Sequence, residues 1–120
     1  MRVRVSRGRF DTAHYDEVRA LLDAAREELI PAIEELPGMI GCQVGVDRDS
    51  GTVINLSFWE TEDQARAMDT LAPLLTLRQV FTTRGVTFEP IVSYDVLWRI
   101  ERPGRARRSS AQGLDRPVSP

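Results

Sequence analysis

The feature that most constrains the fold is the order of elements across residues 36–59. Pro37 and Gly38 end a long amphipathic pattern, because proline cannot continue a helix and glycine readily closes one. Two apolar-rich runs follow, at residues 39–46 and 52–59, and the segment DRDSG between them is rich in turn-forming residues. A helix followed by a hairpin predicts an α+β fold with an antiparallel sheet.

The residues before this hairpin predict one strand and one helix. Residues 2–10 alternate between apolar and polar side chains, which is typical of a strand. Apolar residues then recur at spacings of three and four from Val18 to Leu36, which predicts an amphipathic helix preceded by a cap at Asp11 or Thr12. Pro31 lies inside this pattern, so we expect a kink or a short break there.

The residues after the hairpin predict a helix in two pieces and a final strand. Thr61 and Gln64 have the spacing of a capping box, Pro73 suits the first turn of a second piece, and Gly85 ends it. Residues 86–100 form the last predicted strand, with a break near Pro90. The order β-α-β-β-α-β, with right-handed crossovers, predicts a ferredoxin-like fold whose first and third strands are central in a four-stranded antiparallel sheet.

Length and composition predict a single domain over residues 1–102, followed by a disordered arginine-rich tail at residues 103–120. The chain carries a net charge of −2 at pH 7, and the tail holds four arginines against one aspartate, so the predicted domain is acidic. An acidic body argues against nucleic-acid binding, and no apolar run is long enough for a membrane span. A single cysteine, Cys42, agrees with a reducing compartment, and we expect a cytoplasmic protein.

Alternation along the predicted strands sorts their side chains onto two faces. The almost wholly apolar face, which we expect the helices to cover, holds Val3, Val5, Ile40, Cys42, Val44, Val46, Ile54, Leu56, Phe58, Val92, Tyr94, Val96 and Trp98. The mixed face holds Met39, Gly41, Gln43, Gly45, Val53, Asn55, Ser57, Trp59, Ile91, Ser93 and Leu97. No helix is left to cover the second, mixed face, so we expect a homodimer formed through it.

Two segments resemble a known family. Residues 36–41, LPGMIG, open the second strand, and residues 58–65, FWETEDQA, connect the third strand to the next helix. Together they resemble proteins of the antibiotic-biosynthesis-monooxygenase type, which form dimeric α/β barrels. The resemblance implies cofactor-independent oxygenation of phenols or quinols, haem degradation, isomerisation or a non-catalytic role.

The resemblance also separates these activities. Haem-degrading relatives use an asparagine on the first strand and, near the helix after the third strand, a tryptophan and a histidine. Here the first strand has no asparagine, Met68 lies near the tryptophan position, and no histidine follows His14. We therefore predict that the protein does not degrade haem. The sequence has no glycine-rich phosphate loop and no metal-ligand spacing, so we expect no cofactor and no metal.

Candidate site residues come from the sheet and from the helices. A pocket between sheet and helices would be lined by Met68, Leu75, Phe81, Tyr94 and Trp98, although core packing explains the same residues. Asn55 and Ser57 are polar residues in mid-strand and suit either a dimer interface or a polar wall of a ligand site. Trp59, on the mixed face, suits a structural role at the strand end or a place in a ligand site, and His14 suits a solvated position or proton transfer at the rim.

Two functions remain open from the sequence. One is a cofactor-free monooxygenase acting on, or binding, a small aromatic or quinol-type molecule. The other is a non-catalytic dimeric module of the same fold, which binds a small ligand or serves in assembly.

Overall fold

The computed structural model describes residues 1–103, so the predicted tail at 103–120 lies almost wholly outside the described residues. The strands are β1 (Arg2–Arg9), β2 (Met39–Asp47), β3 (Thr52–Trp59), β4 (Thr87–Phe88) and β5 (Val92–Asp95). The α-helices are α1 (Tyr15–Glu34), α2 (Glu62–Ala65) and α3 (Ala72–Thr83), with 3-10 turns at Thr12–His14 and Arg66–Thr70. This is the predicted α+β order, with the second helical region divided as expected.

The sheet confirms the predicted ferredoxin-like topology. Its order is β2-β3-β1-β4, with β5 also pairing β1, and every described pairing is antiparallel. The first and third strands are therefore neighbours at the centre. The last strand is divided into β4 and β5, as the proline at position 90 predicts, and both parts pair with β1.

Local signals at the helix ends behave as predicted except that the Gln64 side chain does not complete the capping box, since its buried Oε1 has no hydrogen bond within residues 1–103. The Thr61 hydroxyl accepts a hydrogen bond from the Gln64 backbone N–H at 3.2 Å, and the Asp11 carboxylate accepts one from the Ala13 N–H at 2.9 Å. Gly85 follows α3 with a φ of 93°, which a glycine adopts without strain.

Of the kink or short break expected at Pro31, the break is absent, because α1 continues through that residue to Glu34. Proline removes the donor that would bond to the Glu27 carbonyl. Both Glu27 and Pro31 are exposed, so water can serve that carbonyl and the helix tolerates the loss.

The predicted assignment of sheet faces is largely inverted. On β3 the residues packed under the helices are Val53 and Trp59, whose clusters include Val18, Ile33 and Met68 from the helical layer. On β1 the buried residues are Arg4 and Gly8, and the register partner of Arg4 is Ser57. The helices therefore cover the face we expected to be mixed, on these central strands.

The opposite face, which has no helix over it, is the apolar one. In the register of the sheet Val3 pairs with Phe58 and Tyr94, and Val5 pairs with Leu56 and Val92. We expected the helices to cover this apolar face, and that prediction is wrong for the following physical reason. A strand's alternation fixes which side chains share a face, but the polar residues here lie on the helical side, opposite to the usual pattern.

On strand β2 the predicted face is correct for Cys42, Val44 and Val46, which lie on the helical side of the sheet. An irregularity in the pairing between Met39 and Gly41 shifts the alternation by one residue. Cys42 consequently pairs with Ser57 and packs beside the Trp59 cluster, on the helical side. None of the helices within residues 1–103 is long and apolar enough to cross a membrane.

Candidate functional site

A cavity of about 260 Å³ lies between the helical face of the sheet and helices α1 and α3. Most of its wall is apolar, and the apolar lining includes Leu22, Leu29, Leu74, Leu77, Phe81 and Phe88. Polar side chains also line it, namely Arg4, Ser6, Asn55, Asp69 and Arg78. A mainly apolar hollow with a few convergent polar groups is the usual form of a small-molecule site.

An ion pair joins strand β1 to the segment before α3 at this cavity. The Arg4 guanidinium donates to the Asp69 carboxylate at 2.7 Å. The Arg4 side chain is only 9% exposed, whereas that of Asp69 is 52% exposed. The pair therefore satisfies a buried cation with a carboxylate that still reaches solvent.

A second guanidinium, that of Arg78 on α3, also lines the cavity. Its Nη1 lies 3.4 Å from the Ser6 hydroxyl, and its carbon lies 4.2 Å above the centre of the Phe88 ring. Burial lowers the pKa of Arg78 below its usual value, repulsion from Arg4 lowers it further, and attraction to Asp69 partly offsets both. Arg78 is thus a partly desolvated cation next to another cation.

The amide of Asn55 is the neutral polar group of the cavity. Its Oδ1 accepts a weak hydrogen bond from the Cys42 thiol, with 3.6 Å between sulfur and oxygen. The amide N–H₂ has no hydrogen bond within the described part of the chain, so it can donate to a ligand. Burial raises the pKa of the Cys42 thiol, which therefore stays protonated and able to donate.

The predicted site residues divide into two groups. The structure brings Asn55, Met68, Leu75 and Phe81 together around the cavity. Phe81 and Met68 are buried, whereas Leu75 is 45% exposed and lies where the wall meets solvent.

The other five candidates lie elsewhere. Ser57 and Trp59 are fully buried in the core beside the cavity, where the Trp59 indole N–H donates to the Ser57 hydroxyl at 2.8 Å. Tyr94 is on the open face of the sheet and is 53% exposed. Trp98 is 77% exposed beyond the end of β5, and His14 is exposed before α1.

Sequence reasoning missed Arg4, Ser6, Asp69 and Arg78. Arg78 carried a usable signal, because it follows Leu74 by four residues and precedes Phe81 by three, within the apolar stripe of α3. Arg4 and Ser6 share their parity with the buried side of β1, but alternation alone does not say which side is buried. Within residues 1–103, no group of three or more His, Cys, Asp or Glu side chains could hold a metal ion.

Comparison with solved structures identifies the class of fold. A candidate antibiotic biosynthesis monooxygenase from Deinococcus radiodurans is 17% identical, with a TM-score of 0.65 over 87% of this chain and 100% of that one. The ActVA-Orf6 monooxygenase of Streptomyces coelicolor, solved with nanaomycin D, is 21% identical, with a TM-score of 0.64 over 84% of this chain and 91% of that one. The chain therefore has the fold of the antibiotic biosynthesis monooxygenase-like proteins, as the resemblance predicted.

A third similar structure and two sequence relatives complete the comparison. SnoaB, a cofactor-independent oxygenase from Streptomyces nogalater, is 18% identical, with a TM-score of 0.54 over 85% of this chain and 96% of that one. Two uncharacterised proteins from two strains of Mycobacterium tuberculosis are 40% identical over 50 residues, 41% of this chain. Those 50 residues are 21% of each relative, so the match spans about a fifth of their length. No family model matches the sequence.

Proposed function

We propose that the cavity binds a small aromatic molecule of the phenol or quinol type, and that the protein is a cofactor-independent monooxygenase acting on it. The observation that carries the proposal is the cavity itself, an apolar hollow of about 260 Å³ with a free amide donor at Asn55. The size suits one or two aromatic rings. Nanaomycin D in the Streptomyces coelicolor structure and the oxygenase from Streptomyces nogalater, both of this fold, support the choice of chemistry.

The proposed chemistry uses the electrons of the substrate. A deprotonated phenol is electron-rich enough to react with O₂; one oxygen atom enters the ring as a carbonyl and the other leaves as water. The water takes the two hydrogens that the phenol loses, one from its hydroxyl and one from the ring carbon that is attacked. The phenol supplies all four electrons, so the balance requires no other reductant.

Two residues have roles in this scheme. The Asn55 amide N–H₂ donates to the substrate oxygen and holds the ring in place, which stabilises negative charge on that oxygen. Asp69 lines the cavity and is half exposed, so it can pass the phenol proton to solvent.

Oxygen uptake tests the proposal. An oxygen electrode would follow wild-type protein with 1-naphthol, 1,4-naphthohydroquinone and monocyclic phenols, and calorimetry would follow binding of the same compounds. We expect binding and protein-dependent uptake with at least one bicyclic phenol. Absence of both binding and uptake across the panel would refute the proposed function.

A matched pair of variants ties the activity to the cavity. Leu75→Trp places a large ring at the rim of the cavity, whereas Ile30→Trp places the same ring on α1, away from the cavity lining. Leu75 and Ile30 are 45% and 46% exposed, so the two substitutions are matched in the exposure of the residue that they replace. We expect Leu75→Trp to lose binding and uptake and Ile30→Trp to keep both.

The alternative is a non-catalytic ligand-binding module. The observation that favours it is the ion pair of Asp69 with Arg4, because the carboxylate is already engaged by the guanidinium rather than free to face a ligand. Binding without oxygen uptake in the same panel would select this alternative.

We also propose a homodimer formed through the open face of the sheet, which corrects the face predicted from the sequence. Val92 and Tyr94 are 44% and 53% exposed on this face, beside half-buried Val5 and Leu56. Contiguous apolar surface of this kind normally marks an interface.

The residues beyond β5 favour a second copy of the chain as the partner that covers the open face of the sheet. The Val96 N–H bonds to the Met1 carbonyl at 3.0 Å, next to the first residue of β1. Leu97, Trp98 and Ile100 follow with exposures of 87%, 77% and 87%. An apolar extension continuous with the open face suits contact with a partner copy. The free thiol of Cys42 is compatible with the cytoplasmic location that we propose.

A further inference from the structure

Positively charged side chains outnumber negatively charged ones in the lining of the cavity. Of the described residues that line it, two are arginines, Arg4 and Arg78, and one is an aspartate, Asp69. The hollow is partly enclosed by apolar side chains, and low-polarity surroundings strengthen the field of each charge. The lining therefore presents an excess of one positive charge to a ligand.

The two arginines are not equivalent. Arg4 is committed to Asp69, with a hydrogen bond of 2.7 Å. Arg78 has only a long contact with the Ser6 hydroxyl at 3.4 Å and the face of Phe88. Within residues 1–103, no carboxylate forms an ion pair with Arg78. Most of its five N–H donors are therefore available to a ligand.

The environment of Arg78 favours an anionic partner. The same burial and the same repulsion from Arg4 that lower its pKa also make its positive charge costly to hold without a counter-ion. A bound anion would offset that cost, and a guanidinium matches a carboxylate with two parallel hydrogen bonds. The Phe88 ring lies 4.2 Å from the guanidinium carbon, and this cation–π contact keeps the guanidinium beside the cavity.

We infer that the cavity selects aromatic ligands in their anionic form, as carboxylate or phenolate, and that Arg78 is the residue that recognises the negative charge. This inference rests on the proposed function and names its ligand class. Arg78 binds the anionic group, while the leucines of α1 and α3 hold the rings. A neutral phenol that enters the cavity is bound more tightly once it loses its proton.

Two ligands of nearly equal size test the inference. Calorimetry would compare 2-naphthoate with 2-naphthamide, which share the same rings and differ in charge. A charge-assisted hydrogen bond contributes about tenfold or more in affinity, so we expect wild-type protein to bind the carboxylate at least about tenfold more tightly than the amide.

Three variants assign that preference to Arg78. Arg78→Gln should reduce the ratio of the two affinities to about one, by weakening carboxylate binding, and Arg78→Lys should keep part of it. Arg26→Gln removes the same charge from an exposed position on α1 outside the cavity lining, and should leave the ratio unchanged. Thermal melts would establish that each variant is folded. If Arg78→Gln does not fold, the wild-type ratio of carboxylate to amide affinity still tests the anionic preference, and Arg78→Lys tests the role of Arg78.

Each outcome separates the inference from the proposed function. Equal affinity of the wild type for both ligands would overturn the anionic preference while leaving aromatic binding intact. A preference that survives in Arg78→Gln would overturn the role of Arg78. Binding of neither ligand would count against the inference and, together with failure of the phenol panel, against the proposed function.

Discussion

The indole N–H of Trp59 donates a hydrogen bond of 2.8 Å to the hydroxyl of Ser57, and neither residue has exposed surface. The two lie two positions apart on β3, so their side chains share the helical face of the sheet. This bond lets a large aromatic side chain fill the core beside the cavity without leaving its polar hydrogen unpaired.

Replacing Ser57 by alanine should destabilise the protein by about 1–3 kcal/mol, because it leaves the buried Trp59 N–H without an acceptor. Urea unfolding followed by circular dichroism would measure the change in the free energy of unfolding. Trp59→Phe should lower the free energy of unfolding less in the Ser57→Ala background than in wild type. In that background the indole N–H already lacks an acceptor, and the substitution removes this unpaired donor. Equal costs in the two backgrounds would show that the hydrogen bond contributes nothing.

Gly51 should tolerate alanine far less well than Gly85. Both have positive φ, 62° and 93°, so both substitutions carry backbone strain of about 1–2 kcal/mol. At Gly51 an added Cβ would also lie 2.3 Å from the Phe10 backbone carbonyl oxygen, whereas at Gly85 it meets nothing within 4 Å. We expect Gly51→Ala to cost at least about 1 kcal/mol more than Gly85→Ala in urea unfolding. Similar costs would contradict the close approach of the hairpin to Phe10.

Sedimentation velocity tests the homodimer. Wild-type protein should sediment as a dimer at micromolar concentration, and Leu56→Glu should sediment as a monomer, because it places a charge at the centre of the open face. Ile30→Glu is the control, since Ile30 is exposed on α1, away from the open face, and should leave the dimer intact. A wild-type monomer would refute the proposed interface.

The thiol of Cys42 should react slowly, and its ionisation should lower the stability of the protein only in alkali. Burial raises its folded pKa, so between the unfolded value of about 8.5 and the higher folded value the unfolded chain binds fewer protons. The free energy of unfolding contributed by the neutral thiol is therefore fully present below about pH 8.5 and falls as the pH rises through the folded pKa.

Two measurements check this prediction. Alkylation by iodoacetamide at pH 8.5 should be slower for the folded protein than for the protein in urea. Melting temperatures from pH 7 to about 10 should fall more for wild type than for Cys42→Ala, which lacks the thiol. A parallel decline of the two proteins would show that the thiol is not responsible.

Local sequence determined the elements and their order. The cap at Thr61 and the positive φ at Gly85 act over a few residues, so they could be predicted without knowing the rest of the chain. The order of elements then fixed the sheet topology, because right-handed crossovers leave few ways to connect them. The monooxygenase-like fold was implied separately, by the resemblance of residues 36–41 and 58–65 to that family.

The tertiary structure alone decided which face of the sheet the helices cover, and with it the site. Alternation shows that Arg4 and Ser6 share one side of β1, but a one-sided apolar pattern predicts that such residues face water. They are instead turned inward, because Asp69 and the cavity beside Arg78 accommodate them, and these partners lie more than 60 residues away along the chain. Contacts over that separation depend on how the layers pack, which no local pattern encodes.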